Sequence, residues 1–549
     1  MIRSAVYEIE QKTLPSGIPA PDINERPTCY ADRAGVWYSS FAASGHKKQF
    51  GQYLTPVEVA DFMASLVTVR RKVIRILDPG SGTGILACAV CEYLASQKEK
   101  PSQILLDVYE IDCNLAQILQ KSLCHLAAYL EKKKIAFTFT INAEDFILKH
   151  AHTLKKTPTF FDLPDEEPTF DICISNPPYF KLPKSDKRSQ VAASVVHGQP
   201  NIYALFMAVS AAMLSENGEL VFITPRSFAS GSYFRLFRQQ FFAMVRPERI
   251  HIFDSRRDAF KHEGILQENI ILKARRDDCW RSNSPHNKIA LSASNGTGDI
   301  CRSGSRILSL DIVLDIKSKD IVLKIPSKDD NEEIFEKMSS WSGSLRDYGF
   351  EVSTGPVVPF RATQFLSEKA NKHRHYAPLL WLQNVKSMQV TWPLEAQRKQ
   401  QYIELSDESL SLVIPNKNYV LLRRFSAKEE IRRLTAAPFI GGILSAEWIG
   451  LENHLNYIHR PHGSLSQQEA WGLAILYNSS FFDMYFRMLN GNTQVSATEI
   501  RSIPLPSLDI IIEIGERAMA TTNIHENIDS IAQVVFQNKH TKTRKLVHV

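Results

Sequence analysis

The stretch Val73-Ile74-Arg75-Ile76-Leu77-Asp78-Pro79-Gly80-Ser81-Gly82-Thr83-Gly84 decides the fold. An apolar run passes straight into alternating glycines, and a helix-forming segment, Ile85–Ala95, follows at once. Glycines directly after a strand let the backbone turn sharply and let a ligand lie against it without interference from Cβ. The spacing is G-x-G-x-G with Asp78 in front, not the G-x-G-x-x-G of dinucleotide enzymes. A second apolar run, Ile104–Tyr109, ends in Glu110 and Ile111. At a strand's carboxyl end, Glu110 is placed to accept hydrogen bonds from both hydroxyls of a ribose.

Outward from this turn, strands and helices alternate between Phe50 and Leu272. Strands are expected at Val73–Leu77, Ile104–Tyr109, Ala136–Ile141, Phe170–Ser175, Glu219–Thr224, Arg249–Phe253 and Glu268–Lys273. Helices are expected at Ile85–Ala95, Leu115–Leu130, Ile202–Leu214 and Ser232–Met244. The pattern predicts an α/β fold, a mainly parallel sheet with helices on both faces. Residues 1–45, with Pro15, Pro19, Pro21 and Pro27, read as an extended arm. The polar stretch Arg281–Ser305, interrupted by the strand-like Lys288–Leu291, places a domain boundary near residue 300. Residues 46–299 then form the first domain and residues 300–549 a second, mixed one. The second is expected to hold strands at Ile307–Ile316 and Ile321–Ile325 and helices at Asn331–Ser340 and Gln467–Leu489.

Composition narrows the class. A chain of 549 residues suits two domains, and 44% hydrophobic with 23% charged residues is the balance of a soluble globular protein. No run reaches the length of a membrane helix, and the start, Met1-Ile2-Arg3-Ser4, has no signal-peptide core. Net charge +6 permits a polyanionic partner without requiring one. The eight cysteines are scattered. Cys88 and Cys91 form a C-x-x-C inside an apolar helical run with no matching second pair, so buried reduced thiols are expected and a metal site is not.

The chemistry is announced by Asn176-Pro177-Pro178-Tyr179, directly after the apolar strand Phe170–Ser175. An amide, two rigid prolines and an aromatic ring make a poor core and a good clamp for a flat base bearing an exocyclic amine. The lone pair of such an amine is delocalised into the ring. Oxygens fixed to accept its hydrogens, the Asn176 side-chain carbonyl and the Pro177 backbone carbonyl, free that lone pair for attack. Tyr179 is expected to stack on the base. Upstream, Thr55 is expected to cap a helix with Pro56 at its first position. Asn142-Ala143-Glu144-Asp145-Phe146 offers a carboxylate and an aromatic plate. Asp145 and Phe146 either hold an adenine ring or serve as a helix N-cap and a core residue.

Read together, the segments FGQYLTP, DPGSGTG, YEID, NAEDF, NPPY, NIYALF and ELVFITP resemble the gamma group of S-adenosylmethionine-dependent, amino-methylating DNA methyltransferases. That group writes N6-methyladenine in restriction–modification systems. The resemblance covers residues 46–295. It implies a Rossmann-like catalytic domain with a seven-stranded sheet and a C-terminal target-recognition domain. It implies S-adenosylmethionine held by Thr55, Asp78, Gly80, Gly82, Gly84, Glu110, Ile111, Asp145, Phe146 and Asn176. Asn176, Pro177 and Tyr179 are then catalytic, and the target base has left the duplex. A phenylalanine on the far face of that base falls at Phe260, with Phe253 a rival. NPPY also occurs in enzymes that methylate glutamine side chains or structured RNA, and cytosine N4 suits the same clamp.

In the C-terminal half, Lys417, Arg423 and Arg424 suit phosphate contacts, with Lys428, Arg432 and Arg433 following on an expected helix. Asn492 and Gln494 are the types that read adenine edges. A solvated face and a simple turn are the structural alternatives. No P-D…(D/E)-x-K arrangement is evident, so a cognate restriction endonuclease is expected as a separate chain. The expectation is a cytoplasmic, monomeric enzyme acting on double-stranded DNA. An RNA methyltransferase and a catalytically silent specificity protein are the rival readings.

Overall fold

A computed structural model describes residues 17–41, 54–154, 169–196, 198–253, 268–281, 287–316, 320–326, 337–338, 340–371, 373–394, 399–426, 430–489 and 494–537. The chain divides into two compact units, residues 1–327 and 328–549.

The first unit is built on nine strands in the order β3-β2-β1-β4-β5-β7-β6-β8-β9. They are β1 (Val73–Pro79), β2 (Gln103–Tyr109), β3 (Ala136–Asn142), β4 (Phe170–Ser175), β5 (Leu214–Pro225), β6 (Val245–Phe253), β7 (Asn269–Arg276), β8 (Lys288–Ser294) and β9 (Ser305–Ser309). β1 pairs in parallel with β2 and β4, β2 with β3, and β4 with β5. β7 runs antiparallel between β5 and β6. The first seven strands are those expected from the apolar runs. The sheet then continues through the supposed boundary, because β8 pairs in parallel with β6 and β9 closes on β8. The boundary near residue 300 therefore moves to 327. The strand expected at Ile307–Ile316 stops at Ser309 and gives way to a helical turn, Leu310–Val313.

Strand order reverses between β1 and β4, and a crevice opens there at the carboxyl ends of the strands. β4 is buried on both faces along all six residues, as a central parallel strand must be. One face carries Ile74, Ile76, Ile172, Ile174, Val221 and Ile223 against α2 (Val57–Ser65) and α3 (Ile85–Ser96). The other packs Leu77, Cys173, Leu220 and Phe222 against α6 (Ile202–Ala212) and α7 (Arg235–Met244). Between them in sequence lie α4 (Cys113–Lys132) and α5 (Phe146–His150).

Where an extended arm was expected, residues Pro27–Phe41 form a packed helix. In α1 (Pro27–Phe41), Tyr30, Ala34 and Tyr38 are buried on Leu115 and Ile118 of α4. Pro27, which read as a breaker, opens the helix, and the i, i+4, i+8 stripe behind it is the signal that was overlooked.

The second unit holds an antiparallel sheet of β10 (Glu351–Thr354), β17 (Tyr419–Arg423), β18 (Ala436–Phe439) and β20 (Leu455–His459). A five-stranded sheet joins β11 (Leu366–Ser367), β12 (Tyr376–Leu380), β15 (Tyr402–Glu404), β16 (Val413–Pro415) and β19 (Trp448–Leu451). β13 (Val385–Lys386) and β14 (Gln389–Val390) form a small ribbon. The single helix expected at Gln467–Leu489 breaks at Ser479, whose ψ is 151°, into α8 (Gln467–Asn478) and α9 (Ser480–Leu489). Its hydroxyl donates to Leu476 O at 2.6 Å, so a polar turn replaces the continuous ladder.

α8 lies backbone to backbone on α10 (Leu508–Ala520). A Cβ on Gly472 would sit 1.9 Å from Ile511 O, and one on Gly515 2.0 Å from Gln468 O. Neither helix can yield without separating, so Gly472→Ala is expected to destabilise the chain by about 2–3 kcal/mol. Chemical unfolding measures this, and an unchanged midpoint would show that the helices separate freely.

Candidate active site

The crevice is floored by the glycine turn. Gly80, Gly82 and Gly84 have φ of 74°, 57° and 85°, values that favour glycine. The amides of Gly80 and Ser81 donate to Tyr109 O at 3.0 and 2.9 Å, which ties the end of β1 to the end of β2. Gly80 and Gly82 line a cavity of about 310 Å3. Gly84 serves packing instead: a Cβ there would lie 2.7 Å from Leu119 Cδ1 on α4.

Asp78, expected to hold the cofactor, does not line this cavity. Strand alternation puts it on the face of Ile74 and Ile76, beneath the first turn of α3 and toward the Ala87 amide. Burial holds its carboxyl well above the usual carboxylate range. Its place is structural, at a helix N-terminus.

Glu110, Ile111, Asp145, Phe146 and Asn176 do line the cavity. Glu110 Oε2 accepts from Gly82 N at 2.9 Å and Oε1 from Asp112 N at 2.8 Å, leaving each oxygen a further lone pair. Burial, reinforced by the charge of Asp112, pushes its pKa up to about 7, against the pull of those amides. Hydroxyl donors favour the ionised form, so the affinity of a ribose-bearing ligand is expected to fall as pH drops through 7, approaching tenfold per unit below it. The same shift lowers the stability of the ligand-free chain as pH rises from the usual carboxylate range to about 7. Calorimetric titration of S-adenosylmethionine between pH 6 and 8 checks the first effect, and an equal slope in Glu110→Gln would refute its assignment.

Asp145 combines its two readings. Oδ1 accepts from Leu148 N at 2.9 Å as the N-cap of α5, and the carboxylate also borders the cavity, with Arg188 Nη1 at 3.7 Å from Oδ2. The Phe146 ring packs 5.2 Å from Tyr109 and 5.4 Å from Phe206. Leu54, Phe180, Arg188 and Phe206 also line the cavity, and the sequence motifs do not single them out. Arg188 sat in a charged run, Lys184–Arg188, that resembles any solvated loop. Its bonds to Asp186, at 2.9 and 2.7 Å, and its place over the Phe180 ring at 5.7 Å fix its direction.

Asn176 faces the cavity with its amide held at both ends. Nδ2 donates to Thr55 Oγ1 at 3.0 Å, and Oδ1 lies 2.6 Å from the Tyr179 hydroxyl, which is also 3.0 Å from Ile223 O. Thr55 is therefore not the expected helix cap. Pro56 takes that position, its carbonyl accepting from Val59 and Ala60, while the threonine hydroxyl turns to the amide. The Tyr179 ring is buried, edge-on to Tyr203 at 6.1 Å, and lies outside the cavity lining. Ser175 Oγ donates to Pro79 O, joining the ends of β4 and β1 beneath the site.

Phe260 and Asn492 lie outside the described residues. Phe253, the rival to Phe260, is a core residue against His251. Lys417 is exposed, whereas Arg423 donates to Val385 O at 2.6 Å and Arg424 to Asn453 O at 3.0 Å. With its amide oxygen toward Arg424, Gln494 accepts two bonds from that guanidinium, at 2.6 and 2.9 Å. These candidate DNA contacts hold the unit together. Arg433 is buried over Phe486, and neither it nor Arg432 lies on a helix. Cys88 and Cys91 are buried free thiols, and the described residues contain no metal-binding cluster. Among the described residues no helix is long and apolar enough to cross a membrane.

A glycine turn after β1, an acid after β2, an aromatic plate after β3 and an amide after β4 define an S-adenosylmethionine-dependent methyltransferase. Residues 106–260 match the Eco57I restriction-modification methylase family. The type II methyltransferase M.BsuBI of Bacillus subtilis is 32% identical over 90% of this chain and 94% of its own length. M.PstI of Providencia stuartii is 30% identical over 89% and 94%, and M.AccI of Acinetobacter calcoaceticus 25% identical over 43% and 39%. The chain belongs to the type II methyltransferases of restriction–modification systems, and its cofactor is S-adenosylmethionine.

Proposed function

We propose that the chain methylates N6 of adenine in a short duplex DNA sequence, with the base turned out of the helix. In this reading residues 1–327 are the catalytic unit and residues 328–549 recognise the target, in a monomer working in the cytoplasm. The observation that carries it is the Asn176 amide, which lines the cofactor cavity and is held by Thr55 and Tyr179.

The residues fit the cofactor. Gly80 and Gly82 keep the turn open to the cavity, where Glu110 would hold the ribose and Phe146 the adenine ring. Bound there, S-adenosylmethionine supplies an activated methyl whose bond electrons return to sulfur. Asn176 Oδ1 and the Pro177 carbonyl accept the two amine hydrogens, so the nitrogen lone pair is released to form the new N–C bond. Because both acceptors are fixed beforehand, little reorganisation accompanies the charge that develops on nitrogen. The surplus proton leaves to water after transfer. Tyr179 supports the amide through its hydroxyl and the base through its ring.

Modification-aware sequencing of a host genome expressing the chain tests the proposal. N6-methyladenine in one short motif is the expected result. N4-methylcytosine would move the target base, and label entering RNA alone would overturn the reading.

A further inference from the structure

The second unit contains a cavity of about 350 Å3 that no step of the methyl transfer uses. Trp381, Gln383, Lys399, Phe425, Glu452 and His454 line it. The topology brings them together: Trp381 follows β12, Phe425 follows β17, and Glu452 and His454 lie between β19 and β20.

The wall is built and oriented. The Trp381 indole donates to Gln400 O at 2.6 Å, which fixes its plane. Lys399 Nζ stands 4.6 Å over that ring and donates to Gln383 Oε1 at 2.9 Å. Phe425 is 39% exposed, with His454 edge-on at 4.9 Å. Glu452 is only 1% exposed, and its Oε1 pairs with the His454 Nδ1 beside it. That pair fixes the carboxylate and the imidazole as a polar edge of the cavity. Nearby Arg361 stands 5.3 Å over the ring of Phe360, which is 78% exposed.

Flat apolar surface ringed by an amide, an ammonium, an imidazole and a carboxylate is the chemistry that reads base edges. Gln suits adenine, Lys suits guanine, a carboxylate suits the cytosine amine, and aromatic surface suits the thymine methyl. Phosphate contacts need no cavity. Arg424, whose amide donates to His454 O at 2.9 Å and whose guanidinium donates to Asn453 O, frames this wall from behind. We propose that this cavity receives the edge of one base of the DNA recognition sequence and that Phe425, Lys399 and His454 discriminate it. The proposal rests on the DNA-methylating reading above.

The test uses the full chain, a duplex carrying the motif found by sequencing, a scrambled duplex, and duplexes substituted at each position in turn. Phe425→Ala, Lys399→Gln and His454→Ala are each expected to weaken binding of the motif duplex at least tenfold. Affinity for the scrambled duplex and for S-adenosylmethionine is expected to stay within twofold, and discrimination is expected to relax at one position. Phe425→Leu, which keeps the volume, stands in should the alanine variant lose its thermal transition. If all folded variants keep the wild-type ratio of motif to scrambled affinity, the cavity is not the reader. A wild-type chain that methylates no DNA at all overturns the DNA reading itself, and this proposal with it.

Discussion

Asn176→Ala is expected to lower kcat about a thousandfold, with the Kd values for S-adenosylmethionine and for the recognition duplex within about threefold of wild type. The split follows from what the amide does. Its oxygen accepts an amine hydrogen most strongly when the nitrogen has begun to carry charge, so the loss falls on the transition state and not on binding. The neighbouring groups offer no replacement: a methyl at this position leaves the Thr55 and Tyr179 hydroxyls facing each other's vacated partner. Asn176→Asp is a sharper probe. It keeps an acceptor oxygen but sets a second oxygen where Nδ2 meets Thr55 Oγ1 and adds charge beside the cavity of Glu110. Its kcat is expected to fall between alanine and wild type. Single-turnover transfer of labelled methyl, with calorimetry for both ligands, measures the split. If the whole loss in Asn176→Ala appears in the Kd values, the amide is a binding group and the clamp is not catalytic.

The parts of the site that were legible in sequence are those whose chemistry is local. A glycine turn directly after a strand, Glu110 one residue past the next strand and the amide-proline pair after β4 each carry their reason within a few residues. Gly80, Gly82, Glu110 and Asn176 all border the cavity. Residues whose direction depends on distant partners were read less well. Asp78 sits in the same motif as Gly80, yet strand alternation turns it under α3. Thr55 looks like a cap in sequence, and only Asn176, 121 residues away, reveals where its hydroxyl goes. Arg424 and Gln494 have the composition of DNA contacts, but each satisfies the other. Likewise the helix expected around Arg432 and Arg433 fails because Asp483 takes the Arg433 and Leu434 amides, at 2.5 and 3.0 Å, and fixes an extended turn. Charge and propensity describe a side chain's capacity. Which partner uses that capacity is a long-range property of the fold.

Tyr179 shows the same divergence, and with a large effect. From sequence its ring is expected to stack on the base, a role in which phenylalanine would be tolerated. The hydroxyl at 2.6 Å from Asn176 Oδ1 alters that expectation, because it orients the acceptor on which the amine depends. Tyr179→Phe keeps the ring and removes the donor, so kcat is expected to fall about tenfold, the scale of one hydrogen bond, with KM unchanged. Tyr179→Ala also removes a stacking surface and opens a gap beside Tyr203, and a further hundredfold loss is expected. Thr55→Val removes the acceptor at the other end of the amide, and Thr55→Ser is expected to restore activity, which a purely steric role would not require. Combining Thr55→Val with Tyr179→Phe is expected to cost less than the sum, because the two hydroxyls hold one amide and its orientation can be lost only once. Phenylalanine at full rate would leave the ring as the whole contribution, and phenylalanine as slow as alanine would leave only the hydroxyl. Strict additivity of the two single losses would show that Thr55 and Tyr179 act on different groups, and the shared clamp on Asn176 would then be wrong.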